Sequence, residues 1–219
     1  MVFVFFSKLF DCAKGDSNFG ITEGAIAAAK AAGKTWEDVA AEKLYEPLGM
    51  SATSSRHADF LQRADRAALH VRVDGKWAAK VTRDPDAQSP AGGVSSSARD
   101  LAQWMRLELG DGKFNGKQLI AEDAIGQTHL PVTYRGIHPV TGKPTFYGLG
   151  WVVDYGDHGV VWGHAGAFSR GARTNVSLIP AEQLGIAVLS NAFPTGVPEG
   201  IVDNFFVLVF AGKPTRDWL

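Results

Sequence analysis

The sequence predicts an α+β fold, with helices gathered in the first two-thirds and an antiparallel sheet near the end. Three observations lead there. Helix-start chemistry precedes helically spaced apolar residues at Ser17, Thr35 and Ser96–Ser97. From Phe146 onward the residues become β-branched and aromatic, in short runs separated by turns. The stretch 202–210 is apolar nearly all round, so it must pack against something. Helices followed by strands read as α+β or a mixed layered fold. We divide the chain into an unmatched segment 1–15 and one domain, 16–219. Residues 16–145 are mainly helical; 146–219 form the sheet and a C-terminal helix.

In chain order, Asp16-Ser17-Asn18 has capping chemistry and leads into an alanine-rich helix over 20–32, stopped by Gly33. Thr35-Trp36-Glu37-Asp38 resembles a capping box with Asp in the place of Glu or Gln. The helix it opens carries Trp36, Val39, Leu44 and Tyr45, and Pro47-Leu48-Gly49 ends it. A short helix is expected over 57–64. A hairpin is expected from 70–73 and 77–80, with Asp74-Gly75 as its tight turn. Residues 89–93 read as loop. Ser96 and Ser97 then cap a helix over 98–109 with Leu101, Trp104, Met105 and Leu107 on its apolar side. A turn follows over 110–116, then a short helix over 121–129 and a loop over 136–143. Residues 147–153 read as one strand.

The stretch 159–180 starts as a strand at Val160, Val161 and Trp162. It breaks into a small, polar centre, Gly163-His164-Ala165-Gly166, then resumes with Thr174, Val176 and Leu178. Another apolar strand runs over 184–190. Glycines flanking a histidine inside a strand mark a close approach of backbone or ligand at a functional edge, or a plain bulge with a surface histidine.

The totals exclude several classes. The 219 residues are 45% hydrophobic and 21% charged, enough for one sizeable core. Net charge is −1 with no long Lys/Arg cluster, so no nucleic-acid footprint is expected. One cysteine, Cys12, precludes an intrachain disulfide. Residues 1–6 are too short to span a bilayer and lack a basic flank and cleavage site, so neither a transmembrane segment nor a signal peptide is expected, and no compartment is assigned. The six histidines show no ligand pair at helical spacing, so no metal is expected. No cofactor motif is present: Gly148-Leu149-Gly150 lacks the third glycine of a dinucleotide loop.

Four segments occur in an order that resembles a known family: YEPLGMSATS (45–54), SPAGGVSSSARDLAQW (89–104), YGLGW (147–151) and GHAGAF (163–168). The chain is similar to serine β-lactamase-related proteins, above all the class C β-lactamase and family VIII esterase branch, over roughly residues 16–212. The resemblance implies a β-lactamase/transpeptidase-like fold and acyl-transfer hydrolysis of a small-molecule ester, amide or β-lactam. Such proteins use Ser-x-x-Lys, Tyr-x-Asn and Lys-Thr-Gly or His-x-Gly motifs. By resemblance His164-Ala165-Gly166 is the third, with His164 at the substrate's polar end or the proton relay and the Ala167 N–H as an oxyanion donor. Asp16-Ser17-Asn18 is the second. Asn18 matches the amide; Asp16 stands where tyrosine is usual.

No serine in the sequence has a lysine three positions on, so Ser-x-x-Lys is absent. The family's preceding strands and nucleophile helix are likewise not matched, which reads as a C-terminal portion. Ser17 is the nearest serine to the expected site, although its residue type and place read first as a plain helix cap. The catalytic candidates are therefore Ser17, Asp16 and His164; Asn18, Trp151, Ala165, Gly166 and Ala167 are the substrate-binding ones. The resemblance implies that Trp151, beside Gly148 and Gly150, lines the groove, with a core position as the alternative. Two further readings stand beside the enzyme: a non-catalytic binding module, and a homodimer that completes the sheet, with residues 1–6 of suitable composition for a replacement strand.

Overall fold

A computed structural model of the protein describes residues 17–214. The expected strand at 1–6 and the candidate Asp16 lie outside the described residues.

The helical half starts where a side-chain oxygen can satisfy a free N–H. Helix α1 spans Asn18–Ala31, and the Ser17 hydroxyl caps it by accepting from the Gly20 N–H at 3.3 Å. Helix α2, Trp36–Ala40, is capped by Thr35 and continues as a π-helical turn, Ala41–Tyr45. The expected capping box closes differently from the usual one. Thr35 Oγ1 accepts from the Asp38 N–H at 3.2 Å and donates its own proton to Asp38 Oδ2 at 2.7 Å. The aspartate is one carbon shorter than glutamate and bonds the hydroxyl instead of the N-cap backbone. That bond, and then the one from Arg56, holds the Asp38 carboxyl below its usual range.

Helix α3 is His57–Gln62, followed by a hairpin of β1, Val71–Val73, and β2, Lys76–Ala78. Asp74 and Gly75 both take positive φ, as a two-residue hairpin turn demands. Residues 89–93, expected as loop, contain a single helical turn, α4, Ser89–Gly92, with proline in its first turn. Helix α5, Ala98–Leu109, is capped by Ser97, whose hydroxyl accepts from the Asp100 N–H. The expected turn at 110–116 is part of a miniature hairpin of β3, Lys113–Phe114, and β4, Lys117–Gln118. Helix α6 is Glu122–Thr128.

The sheet starts earlier than expected. It comprises β5 Thr133–Ile137, β6 Pro144–Tyr147, β7 Val152–Gly156, β8 Gly159–Phe168, β9 Ala172–Ile179 and β10 Leu184–Ser190. The order is β10-β9-β8-β7-β6-β5, antiparallel throughout. Residues 136–143 looked like loop because Gly136, Pro139, Gly142 and Pro144 weaken any strand pattern. Pairing with β6 carries β5 through a register shift between Tyr134 and Gly136. The expected strand at 147–153 is interrupted: β6 stops at Tyr147 and β7 starts at Val152.

The sheet lies between helices. Trp162, Leu178 and Val153 join Trp104 and Met105 of α5 on one face. Helix α7, Val197–Ala211, packs on β9 and β10 from the other. A second core gathers α1, α2 and α5 around Ala29, Val39, Leu48 and Leu107, and Trp104 touches both cores.

A buried polar network links two of the four resemblance segments. Asp100 Oδ2 accepts from the Ala52 N–H and the Thr53 hydroxyl, both at 2.8 Å. Ser89 donates to the Ser55 carbonyl at 2.6 Å, and Tyr45 and Ser55 share a hydroxyl bond at 2.7 Å. A backbone bridge joins Ser54 to Ser95. YEPLGMSATS and SPAGGVSSSARDLAQW therefore form one structural unit.

Asp100→Ala leaves two donors without their charged acceptor, and bonds to ionised groups are worth about 1.5–3 kcal/mol each. Urea unfolding should show a loss of about 3 kcal/mol or more; a loss below about 1 kcal/mol would show that the clamp is dispensable.

Candidate functional site

Strand β8 is interior, third from the β10 edge, so the GHAGAF segment does not lie on an edge strand in the simple sense. It is continuous from Gly159 to Phe168, without the expected break at Gly163–Gly166. Its two halves differ. The ladder to β7 ends where Val152 faces Gly163, whereas the ladder to β9 continues to Phe168 opposite Ala172. Residues 164–168 are therefore paired on one side only, and alternate N–H groups of this run face the open side. Ala165 and Ala167 are exposed, so the segment is not sealed from solvent.

The turn between β6 and β7 makes that opening and holds His164. Gly148 comes so close to helix α6 that a Cβ there would lie 2.6 Å from the Thr128 carbonyl oxygen. Gly150 has φ +88°, a conformation that glycine adopts without strain. In that conformation its carbonyl oxygen lies 2.7 Å from His164 Nδ1, which must donate to it. The neutral ring then carries its lone pair on Nε2. Tyr147 Oη stands 3.4 Å from the same Nδ1. YGLGW and GHAGAF thus form a second structural pair. Tyr147 was not singled out in the sequence; its place one residue before Gly148 was the available signal.

The remaining candidates fall differently. Trp151 does not line a groove. It is 6% exposed and stacks on Trp104 at 5.5 Å with the rings 3° apart. The glycines beside it shape the turn, while its own side chain faces the core. His164 and Gly166 lie on the Trp162 face of β8; alternation sends Ala165 and Ala167 to the α7 side. A Cβ at Gly166 would meet the Thr174 hydroxyl at 2.9 Å, so Gly166 keeps this face flat. Ser17 is the N-cap of α1 and Asn18 its exposed first residue. Helix α1 packs on α4, and a Cβ at Gly92 of α4 would lie 2.9 Å from Phe168 Cζ at the end of β8. The two candidate regions are connected through α4; among the described residues no hydrogen bond joins His164 to Ser17 or Asn18.

Beside the exposed end of β8 lies a cleft of about 390 Å³, lined by Arg83, Asp84, Ala167, Phe168, Ser169 and Arg170. The two arginines were absent from the sequence-derived site because no local motif points to them. Among the described residues no group of three His, Cys, Asp or Glu side chains is placed to hold a metal ion, and no helix is long and apolar enough to cross a membrane.

A family model described as Beta-lactamase matches residues 16–205. No curated protein matches the chain. Similar solved structures include the octameric penicillin-binding protein homologue from Pyrococcus abyssi, 20% identical with a TM-score of 0.73, covering 93% of this chain and 45% of that one. A class C beta-lactamase is 18% identical with a TM-score of 0.68, covering 92% and 58%. A D-stereospecific amidohydrolase from Streptomyces sp. is 20% identical with a TM-score of 0.70, covering 92% and 56%. The chain spans about half the length of these structures. At such identity the likeness shows the fold: α+β, β-lactamase/transpeptidase-like.

The Gly150 bond fixes the tautomer of His164. Ring ¹⁵N shifts should report the Nδ1–H form for neutral His164; the Nε2–H form would show that the bond is not made. Gly150→Ala, strained at this φ, should cost about 1 kcal/mol or more in chemical unfolding.

Proposed function

Since the chain belongs to the beta-lactamase family, we propose that it carries the carbonyl-binding wall of a serine-hydrolase-like acyl-transfer site. The bond cleaved is an ester, amide or β-lactam. The observation that carries this reading is the one-sided pairing of β8 over 164–168, with His164 locked against Gly150. A strand paired on one side presents preorganised N–H donors to a substrate carbonyl. Ala167 is the donor we assign to the developing oxyanion. His164 Nε2 is the acceptor for the proton of the attacking hydroxyl, which it then returns to the leaving group. Gly166 puts no side chain on the Trp162 face beside that donor.

In the enzymatic form of this proposal the nucleophile is Ser17, with Asn18 beside it for the substrate and Asp16, outside the described residues, in the position of the relay. The Ser17 hydroxyl accepts from the Gly20 N–H and still has its own proton to give. Its attack on the carbonyl carbon forms the acyl-enzyme and releases the alcohol or amine; water then hydrolyses the acyl-enzyme to the acid and regenerates the hydroxyl. A second reading, a binding module that keeps the wall without the chemistry, is favoured by the capping role of Ser17.

Turnover of p-nitrophenyl acetate and nitrocefin, with mass spectrometry after a fluorophosphonate, separates the two. Catalysis predicts an adduct on Ser17 and a rate lowered about 100-fold by His164→Ala. An adduct at another residue would remove Ser17 from the mechanism. No adduct and no turnover would leave the binding module.

We also propose self-association through the outer edge of β10. That edge has no strand partner among the described residues. Beside it Leu189 is 44% exposed, and α7 exposes Val197, Ile201, Leu208 and Val209. Unpaired edges with apolar surroundings attract a second chain. Sedimentation should show a dimer that Leu189→Lys with Leu208→Glu dissociates; a monomer at all concentrations would refute it.

A further inference from the structure

We propose that His129 is a positioning residue for His164: its ring, held by the Glu108 carboxylate, fixes the aim of the Gly150 carbonyl. Its bearing on catalysis rests on the acyl-transfer reading; its hold on the His164 tautomer does not.

His129 is the C-cap of α6 and is 6% exposed. Its ring lies 3.6 Å from the Trp162 ring, centre to centre, at 6°, and 5.4 Å from the Trp151 ring at 56°. Those two tryptophans flank the bond that fixes His164. Trp151 directly follows Gly150, the acceptor. Trp162 stands two residues before His164, the donor, on the same face of β8. One imidazole therefore touches the neighbours of both partners.

The backbone around His129 grips the same turn. The Thr128 carbonyl accepts from the Leu149 N–H at 3.0 Å. A Cβ on Gly148 would lie 2.6 Å from that oxygen and 2.8 Å from the Leu130 carbonyl oxygen. The Val132 N–H donates to the Tyr147 carbonyl at 3.0 Å, and the Gly148 N–H closes the turn by donating to the Trp151 carbonyl at 2.7 Å. Wherever His129 sits, the β6–β7 turn and the Gly150 carbonyl go with it.

The position of His129 is in turn set by α5. Its Nε2 lies 3.0 Å from Glu108 Oε2, and both side chains are almost wholly buried. An ionised carboxylate accepts only, so Nε2 carries the hydrogen. Flat ring faces slide over one another at little cost, whereas a bond to a charged acceptor is short and directional. For stability alone, an apolar pair of the same volume would serve this layer as well, because taking a carboxylate out of water is costly. What the polar pair adds is a fixed distance between α5 and the end of α6, and hence a fixed direction for the Gly150 carbonyl.

Ring ¹⁵N spectroscopy of His164 in the full chain tests the assignment. His129→Phe with Glu108→Leu keeps the volume and the stacking and removes the bond, and its thermal melt should stay at or above that of the wild type. We expect neutral His164 to lose its single Nδ1–H signature and to show the Nε2–H form at comparable population, since one hydrogen bond selects a tautomer only about tenfold. Turnover of p-nitrophenyl acetate should fall about tenfold in kcat with KM unchanged. Glu108→Leu alone should lose the signature too, which keeps the test open if the double variant does not fold. Glu108→Gln, which keeps an acceptor for Nε2, should retain the signature. So should Asp100→Ala, which weakens the first turn of α5 instead. A wild type that already shows the Nε2–H form, an unchanged signature in the folded double variant, or the same loss in Asp100→Ala would each overturn the positioning role. A shifted tautomer in a protein without turnover leaves that role standing and removes the acyl-transfer reading. Turnover with kcat and tautomer untouched by the double substitution does the reverse.

Discussion

Helix α5 is joined to the sheet by one aromatic layer. Trp104 stacks on Trp151, and His129 lies 3.6 Å from Trp162, centre to centre, with the rings 6° apart. His129 Nε2 is also 3.0 Å from Glu108 of α5, deep in the interior. Trp104 packs against both cores and so couples the helical half to the sheet. Rings of this size bury large areas, and Trp104 and Trp151 take the offset-stacked arrangement that such pairs prefer. The layer also fixes where β7 and β8 sit relative to α6. The β6–β7 turn is built against α6, and the Gly150 carbonyl is aimed from that turn.

The proposed site is a by-product of that docking. The β6–β7 turn diverts the chain after Tyr147, so β7 reaches β8 only as far as Gly163. The rest of β8 is left with an open flank, and the carbonyl at the end of the diversion holds the histidine that stands there. Strand, turn and imidazole are held in place by packing against α5 and α6. Such support is what a preorganised carbonyl-binding wall requires. The four segments that resemble the family divide accordingly. Two form a polar clamp around Asp100 that has no part in the proposed chemistry, and two form the wall itself.

Features governed by neighbours within a few residues were legible in the sequence. Ser17, Thr35 and Ser97 cap helices because each has a free N–H three positions on to satisfy. Asp74-Gly75 makes its turn because both residues accept positive φ. Features that depend on distant partners were not. Residues 133–137 become a strand because β6 is there to pair with them, against their glycine and the prolines that follow. Trp151 read as groove lining because its glycines are local and visible, while the Trp104 that buries it lies far back in the chain. His164 was found from its flanking glycines, but its tautomer follows from a carbonyl fourteen residues earlier.

By itself the sequence determined the α+β class and the caps, because these follow from side-chain chemistry and spacing along the chain, and its four ordered segments carried the resemblance to the family. It also determined that no Ser-x-x-Lys pair is present. The tertiary structure decided which half of β8 is open, which tryptophan is core, and that Arg83 and Arg170 share a cleft. Each of these depends on residues far apart in sequence meeting in space. Hydrophobic burial drives such meetings without regard to chain distance, and no local pattern encodes the address.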